Sequence, residues 1–190
     1  MPEYIAIIIC VYILALTGAL KRPCAAMGIS LMKACYIMAC VLALSIFQLE
    51  IGMEISINLG ALVLAFMPGL MMRKTAEDSA GIGAVVLISA AVALLKHSGE
   101  LYGADSGLLC GLMAGMSAFI YGYNPSAAAY AAGTIPLITA ALETFLTLIF
   151  SGYASVEIGH DIIAAQLTAL GISMVIIWIH SLLPKRAGAE

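Results

Sequence analysis

Charged side chains are scarce in this chain. They make up 10% of its 190 residues, whereas an ordinary soluble domain contains about 25%. Hydrophobic residues make up 63%, and the mean hydropathy is +1.09. A soluble fold of this composition would leave a large apolar surface in water, so the composition predicts a membrane protein.

The chain also lacks the patterns on which most enzyme and metal sites depend. Its five cysteines form no C-x-x-C pair, which argues against a zinc site or a disulfide framework and favours small apolar side chains. No H-E-x-x-H motif occurs, no Ser/His pair is expected at matching depth beside a Gly-x-Ser turn, and no basic patch with aromatic residues suggests nucleic acid. We therefore expect no catalytic residue, no cofactor, no metal and no nucleic-acid partner.

What the chain has instead is a series of long apolar runs. A helix needs about 20 apolar residues to cross about 30 Å of hydrocarbon. The sequence predicts an all-α fold, a polytopic transmembrane helical bundle of about seven spans, with residues 1–190 as a single integral membrane domain. The fifth run is short and glycine-rich, and is either a full span or a re-entrant one. The predicted spans cover residues 4–20, 24–49, 55–72, 79–95, 107–123, 126–150 and 162–183.

The distribution of charge between the predicted loops indicates an orientation. Short loops rich in Lys and Arg stay in the cytoplasm. With seven spans, every basic pair falls on one side, so we expect a multi-pass protein of a prokaryotic inner (plasma) membrane, with its N-terminus outside and its C-terminus in the cytoplasm. Six spans would put the last basic pair on the wrong side. The basic pairs are Lys21-Arg22, Arg73-Lys74 and Lys185-Arg186, and the opposite side carries Glu3, Glu50, Glu54, Glu100, Asp105, Glu157 and Asp161, with Lys96 as its one base.

Two openings resemble one another and indicate an internal repeat. The second span opens with RPCAAMG and the sixth with NPSAAAYAAG, and each is followed by acidic residues and then by a span that ends at a basic pair. Spans one to three and five to seven would form a 3+1+3 parallel repeat with the fourth span as linker. Parallel repeats of this kind are typical of transporters.

One carboxylate, Glu143, lies inside a predicted span. An ionisable residue within a membrane is costly to insert and is a functional candidate by default. Asn58, Thr139 and Gln166 are expected at a similar depth, so these four residues could form a polar site for an ion or solute, open to the outside. The predicted rim of this site consists of His97, Asp105, His160 and Asp161.

Structural roles are the alternative for the same residues. Asn58 and Gln166 could be hydrogen-bonding contacts between helices, Glu143 could lean towards the outer headgroups, and Lys33 is expected to snorkel to the inner ones. The small residues of spans five and six predict close helix packing rather than substrate contact. These small residues are Gly107, Gly111 and Gly115, and Ala127, Ala128, Ala131 and Ala132.

Three prolines are candidate hinges. Pro125 follows a break at Asn124, while Pro68 and Pro136 fall within predicted spans three and six. Proline removes one backbone hydrogen bond from a helix and exposes the carbonyl four residues earlier. Broken spans in corresponding parts of a chain indicate a solute or ion site.

Three segments carry a resemblance to a known family: INLGALVLAFMPGLMMRK at 57–74, AYAAGT at 129–134 and VEIGHD at 156–161. Over about two thirds of the chain, their order resembles an uncharacterised family of bacterial and archaeal polytopic membrane proteins, domain of unknown function 1614. The family's Gly-Ala-Asp element would fall near Ala141-Leu142-Glu143, so the resemblance implies that Glu143 replaces an aspartate. Its later Phe-Asp-Gly has no counterpart here, and Gln166 is the nearest polar residue. The family has no assigned activity, so the resemblance implies membrane residence alone.

Two hypotheses follow from these observations. The first is a small secondary transporter or permease for an ion or small polar solute, with membrane lipids around it. The alternative is a non-transporting subunit or assembly factor, either a homodimer or part of a larger membrane complex. A third hypothesis, an intramembrane hydrolase using Asp105 and Glu143, draws on a likeness of YGADSG at 102–107 to aspartyl proteases, but no second membrane aspartate exists.

Overall fold

The computed structural model describes residues 3–51, 55–71, 79–98, 106–117, 124–152 and 156–183. Within these residues the chain is mostly helical, which confirms the all-α class. In chain order its elements are α1 (Glu3–Leu16), α2 (Lys21–Ala26), α3 (Leu31–Leu44), β1 (Gln48–Ile51), β2 (Ile55–Asn58), α4 (Leu59–Met71), α5 (Ser79–His97), α6 (Ser106–Ser117), α7 (Pro125–Ser151), β3 (Val156–Ile158) and α8 (His160–Leu182).

Helices α5, α7 and α8 match predicted spans four, six and seven to within two residues at each end. Pro125 is the first residue of α7, as the break at Asn124 predicts, because the fixed φ of proline suits the first position of a helix. Pro136 was expected to interrupt this span, but α7 continues through it. The interruption is therefore limited to the one hydrogen bond that Pro136 cannot donate.

The first two predicted spans are wrong in their boundaries. Helix α1 ends at Leu16 rather than at residue 20, and predicted span two is divided into α2 and α3. Gly28, at φ 70°, donates to Ala25 O, and Ile29 donates to Cys24 O. These two bonds end α2 in a Schellman motif, which requires a residue that tolerates positive φ.

The next helix begins directly after this break. The Ser30 hydroxyl accepts a hydrogen bond from Lys33 N and caps α3. Gly28 therefore indicates the end of one helix and Ser30 the start of the next. Hydropathy does not detect this break, because the whole run is apolar. Lys33 is exposed in the first turn of α3.

A small sheet lies where the sequence predicts loops and the start of span three. Strands β1 and β2 form an antiparallel hairpin, and β3 pairs with β2 in parallel. The alternation of Ile55, Ser56 and Ile57 is the period-2 pattern of a strand, and it is hidden in an otherwise apolar run. Ile57 and Ile158, which pair in register, pack onto the buried core that includes Ile8, Leu64 and Ile163. The sheet therefore covers one end of the helices, which we call the sheet end.

Side-chain contacts fix the direction of α1 against its neighbours. The Tyr12 hydroxyl donates to Cys35 O at 2.9 Å, and the Ser45 hydroxyl donates to the Tyr4 hydroxyl at 3.3 Å, so α1 and α3 are antiparallel. The Tyr4 ring stacks on the His160 ring with a centroid distance of 4.9 Å. The first turns of α1 and α8 therefore lie together at the sheet end, and these two helices run in the same direction.

Helices α6 and α8 are also parallel, and they meet through glycine. A Cβ placed on Gly111 would lie 2.8 Å from Ala165 O, and one on Gly115 would lie 2.6 Å from the Ile172 Cβ. Gly111 and Gly115, with the α8 residues that they touch, form what we call the glycine interface. The predicted packing role of these two glycines is confirmed, because only a residue without Cβ permits this approach.

Two described helices are long and apolar enough to cross a membrane: 127–151 with 25 residues and His160–Leu182 with 23 residues. At about 1.5 Å per residue, 23 residues extend about 35 Å. Helices α1, α3, α4 and α6 contain 12 to 14 residues, which corresponds to about 18–21 Å. Large apolar side chains face outward on several helices, and Leu16, Met32, Ile46, Leu87 and Phe150 are each at least 70% exposed.

Candidate functional site

Glu143, the carboxylate expected within a span, forms an ion pair. Its Oε2 atom lies 2.5 Å from the Nζ atom of Lys96, which belongs to the last turn of α5. The Lys96 side chain is 20% exposed and the Glu143 side chain 31%. The pair is thus partly sheltered between two apolar helices and still reachable from outside the protein core.

The ion pair and a second polar contact align α5 with α7. Seven residues before Lys96, the Ser89 hydroxyl donates to Val85 O at 2.8 Å and lies 3.5 Å from Ile135 O of α7. Ser89 contacts Ile135 and, further along both helices, Lys96 contacts Glu143. Helices α5 and α7 are therefore parallel. We call this contact, comprising Ser89, Lys96, Thr139 and Glu143, the polar interface.

Thr139 lies between these two contacts on the face of α7 that meets α5, four residues before Glu143. Its side chain is 1% exposed, and its Oγ1 atom has no hydrogen-bond partner among the described residues. Leaving a hydroxyl buried without a partner costs about 1–3 kcal/mol. An unpartnered hydroxyl beside an ion pair is therefore an arrangement that packing alone does not favour.

Other threonines of α7 and α8 show that this is not a general property of the bundle. Each of them turns its hydroxyl back to the carbonyl four residues earlier, which is the usual solution in a helix. The bonds are Thr134 to Tyr130 O, Thr144 to Ala140 O, Thr147 to Glu143 O and Thr168 to Ala164 O. Thr139 makes no such bond to the carbonyl of Ile135.

Gln166 joins three helices at a point away from the ion pair. It is fully buried in α8, and its Nε2 atom donates to Ala61 O of α4 at 3.0 Å and to Gly133 O of α7 at 2.7 Å. Its Oε1 atom has no partner within the described part of the chain. A Cβ on Gly133 would collide with Leu64 O, so the helices meet here at close range and Gln166 holds them together.

Asn58 also serves the backbone. Its Oδ1 atom accepts from Gly60 N at 2.9 Å, which caps the start of α4, and its Nδ2 atom donates to Ser45 O at 2.8 Å. Both ends of this fully buried amide are therefore occupied. Thr139 and Glu143 are one helical turn apart at the polar interface, whereas Gln166 and Asn58 both hydrogen-bond to the first turn of α4.

The predicted rim residues are held separately. His97 stacks on Phe150 with a centroid distance of 5.0 Å, and His160 stacks on Tyr4. Asp161 is exposed in the first turn of α8, and Asp105 lies outside the described residues. In the described ranges, no group of three or more His, Cys, Asp or Glu is arranged to hold a metal ion.

The predicted hinges differ in their surroundings. Pro136 is buried within α7, and Pro125 begins the same helix. Pro68 lies inside α4. Since Pro136 has no N–H, the carbonyl of Ala132 loses its helical donor at a point close to the polar interface.

Sequence reasoning missed Lys96 as the partner of Glu143. The two residues are 47 positions apart, and only the parallel packing of α5 on α7 brings them together. The sequence did contain an indication of this pairing. Lys96 is the one Lys or Arg in the predicted outer loops, which otherwise carry acidic residues. Lys33, the base within predicted span two, lies at the opposite end of the bundle, in the first turn of α3.

Comparisons with protein-family models, with curated proteins and with solved structures give no match to this chain.

Proposed function

We propose that the chain is a multi-pass membrane protein with seven crossings and that it is a small permease for an ion or small polar solute. The outward-facing apolar side chains and the lengths of α7 and α8 support its place in a bilayer. The shorter helices would span the membrane together with the non-helical residues at their ends. Non-helical backbone is tolerated within a membrane where other parts of the protein cover it.

The relative directions of the helices support an odd number of crossings. Helix α1 runs antiparallel to α3, and α1 and α8 begin at the same end. Helices α5 and α7 are parallel, as are α6 and α8. These directions also agree with a 3+1+3 parallel repeat, in which α5 is the linker.

We further propose an inner (plasma) membrane location with the sheet end outside. Lys21 and Arg22 are exposed at the opposite end, whereas Glu50 and Asp161 are exposed at the sheet end. Loops rich in Lys and Arg stay in the cytoplasm, so this distribution favours an external N-terminus and a cytoplasmic C-terminus. The basic residues at 73–74 and 185–186, on which the same proposal relies, lie outside the described residues.

The observation that carries the permease proposal is the ion pair of the polar interface beside the unpartnered Thr139 hydroxyl. An intramembrane carboxylate on a helix that contains a proline is typical of an ion or solute pathway. A solute that enters from the sheet end would reach Glu143 by exchanging with Lys96. A partly exposed pair of this kind is held by about 1 kcal/mol or less, so exchange is energetically accessible.

Uptake into proteoliposomes tests this proposal. We expect the full chain to transport at least one member of a panel of radiolabelled Na⁺, Rb⁺, amino acids and small organic anions above empty liposomes. Glu143→Gln should lower that flux at least about tenfold, the effect of losing a contact worth about 1.4 kcal/mol. Its unfolding temperature should change little, because a partly exposed ion pair stabilises the fold weakly.

Glu50→Gln is the matched control. Glu50 is an exposed acid at the same end of the protein, on β1, and its substitution should leave the flux unchanged. Equal flux in wild type and Glu143→Gln would remove Glu143 from the mechanism. Equal losses in both variants would indicate a general effect of surface charge instead.

A non-transporting membrane subunit or assembly factor, as a homodimer or within a larger complex, is the second candidate. Asn58 and Gln166 favour it, because both hydrogen-bond the backbone of neighbouring helices and make that part of the bundle rigid. This alternative predicts no flux for any solute in the panel and a protein that co-purifies at fixed stoichiometry. The resemblance to the family of polytopic membrane proteins agrees with both candidates, since that family has no assigned activity.

A further inference from the structure

The polar interface holds several oxygen atoms on one face of α7. At 3.6 residues per turn and about 1.5 Å per residue, Thr139 and Glu143 lie about 40° apart around the helix and about 6 Å apart along it. Helical side chains lean towards the N-terminus, so the Glu143 carboxylate lies over the turn that contains Thr139. The Thr139 hydroxyl is buried and without a partner in the described residues.

We propose that this face binds a small monovalent cation, Na⁺ in the first instance, and that the Lys96 ammonium group occupies the Glu143 carboxylate when the cation is absent. Glu143 would supply the charge, and the Thr139 hydroxyl one turn before it would supply a neutral oxygen ligand. The inference rests on the proposed permease function and names the substrate class of the same site.

The oxygen types and the charge at the interface favour a monovalent alkali ion. Carboxylate and hydroxyl oxygens are hard ligands of the kind that hard cations prefer. Ca²⁺ takes six to eight oxygens, commonly from several carboxylates. One carboxylate is present here, and no cluster of three acidic, His or Cys groups occurs in the described ranges. The Lys96 ammonium is itself a monovalent cation, bound 2.5 Å from the carboxylate.

The position of Thr139 distinguishes a ligand site from a simple ion pair. A Lys–Glu pair needs no hydroxyl beside it, and Thr139 had the usual option of bonding the carbonyl of Ile135. Ser89 of α5 approaches that carbonyl at 3.5 Å instead. The Thr139 hydroxyl bonds neither that carbonyl nor any other group among the described residues, one turn before Glu143.

The test measures Na⁺ binding in the full-length protein in lipid nanodiscs. Unfolding temperature is followed while NaCl replaces choline chloride at constant ionic strength, because a ligand that binds the folded state raises its stability with concentration. Wild type should be stabilised by Na⁺ and not by choline. Lys96→Met, which removes the competing ammonium and leaves α7 unchanged, should lower the half-saturating Na⁺ concentration about fivefold or more.

Substitutions on α7 provide a matched pair. Thr139→Val replaces the free hydroxyl by a methyl group of similar size and should raise the half-saturating Na⁺ concentration about fivefold or more. Thr144→Val makes the same change on the same helix, where the hydroxyl bonds Ala140 O, and should leave it unchanged. Thr139→Ser keeps a hydroxyl and should retain binding, which provides a second variant if Thr139→Val does not fold.

Each outcome separates the binding inference from the permease proposal. Equal Na⁺ responses of Thr139→Val and Thr144→Val, or equal stabilisation by Na⁺ and choline, would overturn the inference. Na⁺ binding with the expected pattern but without flux in liposomes would uphold the site and reject the permease. Flux of another solute that is independent of Na⁺, with no Na⁺ stabilisation, would reject the site and uphold the permease.

Discussion

Two pairs of parallel helices, α6 with α8 and α5 with α7, are packed by opposite means. At the glycine interface, backbone meets backbone and side chain so closely that a Cβ on Gly115 would lie 2.6 Å from a neighbouring carbon. The buried Ser173 hydroxyl there lies 3.5 Å from Gly115 O. At the polar interface, an ion pair and a hydroxyl without a described partner occupy the corresponding space.

The difference indicates which pair can rearrange. Close packing through small residues is specific for one geometry, because any displacement loses many contacts at once. An ion pair that is partly exposed can exchange its partner for water or an ion at small cost. We therefore regard the glycine interface as the fixed part of the bundle and the polar interface as the part at which a ligand can act.

The largest expected effect is at the glycine interface. Gly115→Leu would force a side chain into the position of Ile172 and should destabilise the protein by about 3 kcal/mol or more, at the upper end of measured overpacking costs. We expect loss of the monodisperse peak in size-exclusion chromatography and of the cooperative thermal transition.

Gly171→Ala serves as the control for this substitution. Gly171 lies in the same helix pair, on α8, and has nothing within 4 Å of an added Cβ. The alanine variant should be as stable as wild type or more stable by about 0.5–1 kcal/mol, because glycine is a poor helix former. A Gly115→Leu protein with an unchanged transition would show that α6 and α8 do not pack as described.

A smaller effect is expected at Gln166, which extends the comparison to the contact of α7 with α4 and α8. Gln166→Leu removes the two hydrogen bonds to Ala61 O and Gly133 O and should lower stability by about 1–2 kcal/mol. When fluxes are compared at equal amounts of folded protein, the Gln166→Leu variant should transport as fast as wild type. Thermal unfolding and proteoliposome uptake measured on one preparation separate these effects, and a lost flux with unchanged stability would place Gln166 in the pathway.

The sequence predicts the long helices well and the interrupted ones poorly. The runs that became α5, α7 and α8 are long and lack internal caps, so hydropathy finds their limits. The break at Gly28 and the strands around Ile57 lie in sequence that is just as apolar. Hydropathy does not distinguish a helix from a turn or a strand there. Glycine followed by a capping serine, and the period-2 alternation of isoleucine, were the signals available.

The same limit applies to the candidate site. Glu143 is identifiable as the carboxylate of an apolar run because composition alone distinguishes it. Its pairing with Lys96 depends on which helices are neighbours and on their direction, and a single sequence does not provide that. The lack of a partner for the Thr139 hydroxyl among the described residues depends on side-chain packing, which is a still finer property of the structure.

Thiol labelling in the membrane tests the contrast between the two interfaces most directly. In a background with all five cysteines replaced, Thr139→Cys and Ser173→Cys each put one thiol at a buried hydroxyl position, one at each interface. We predict that a small cationic thiol reagent added from the outside labels position 139 at least about tenfold faster than position 173, because local opening exposes the more weakly held contact first. Equal labelling at the two positions, or faster labelling at 173, would contradict the account.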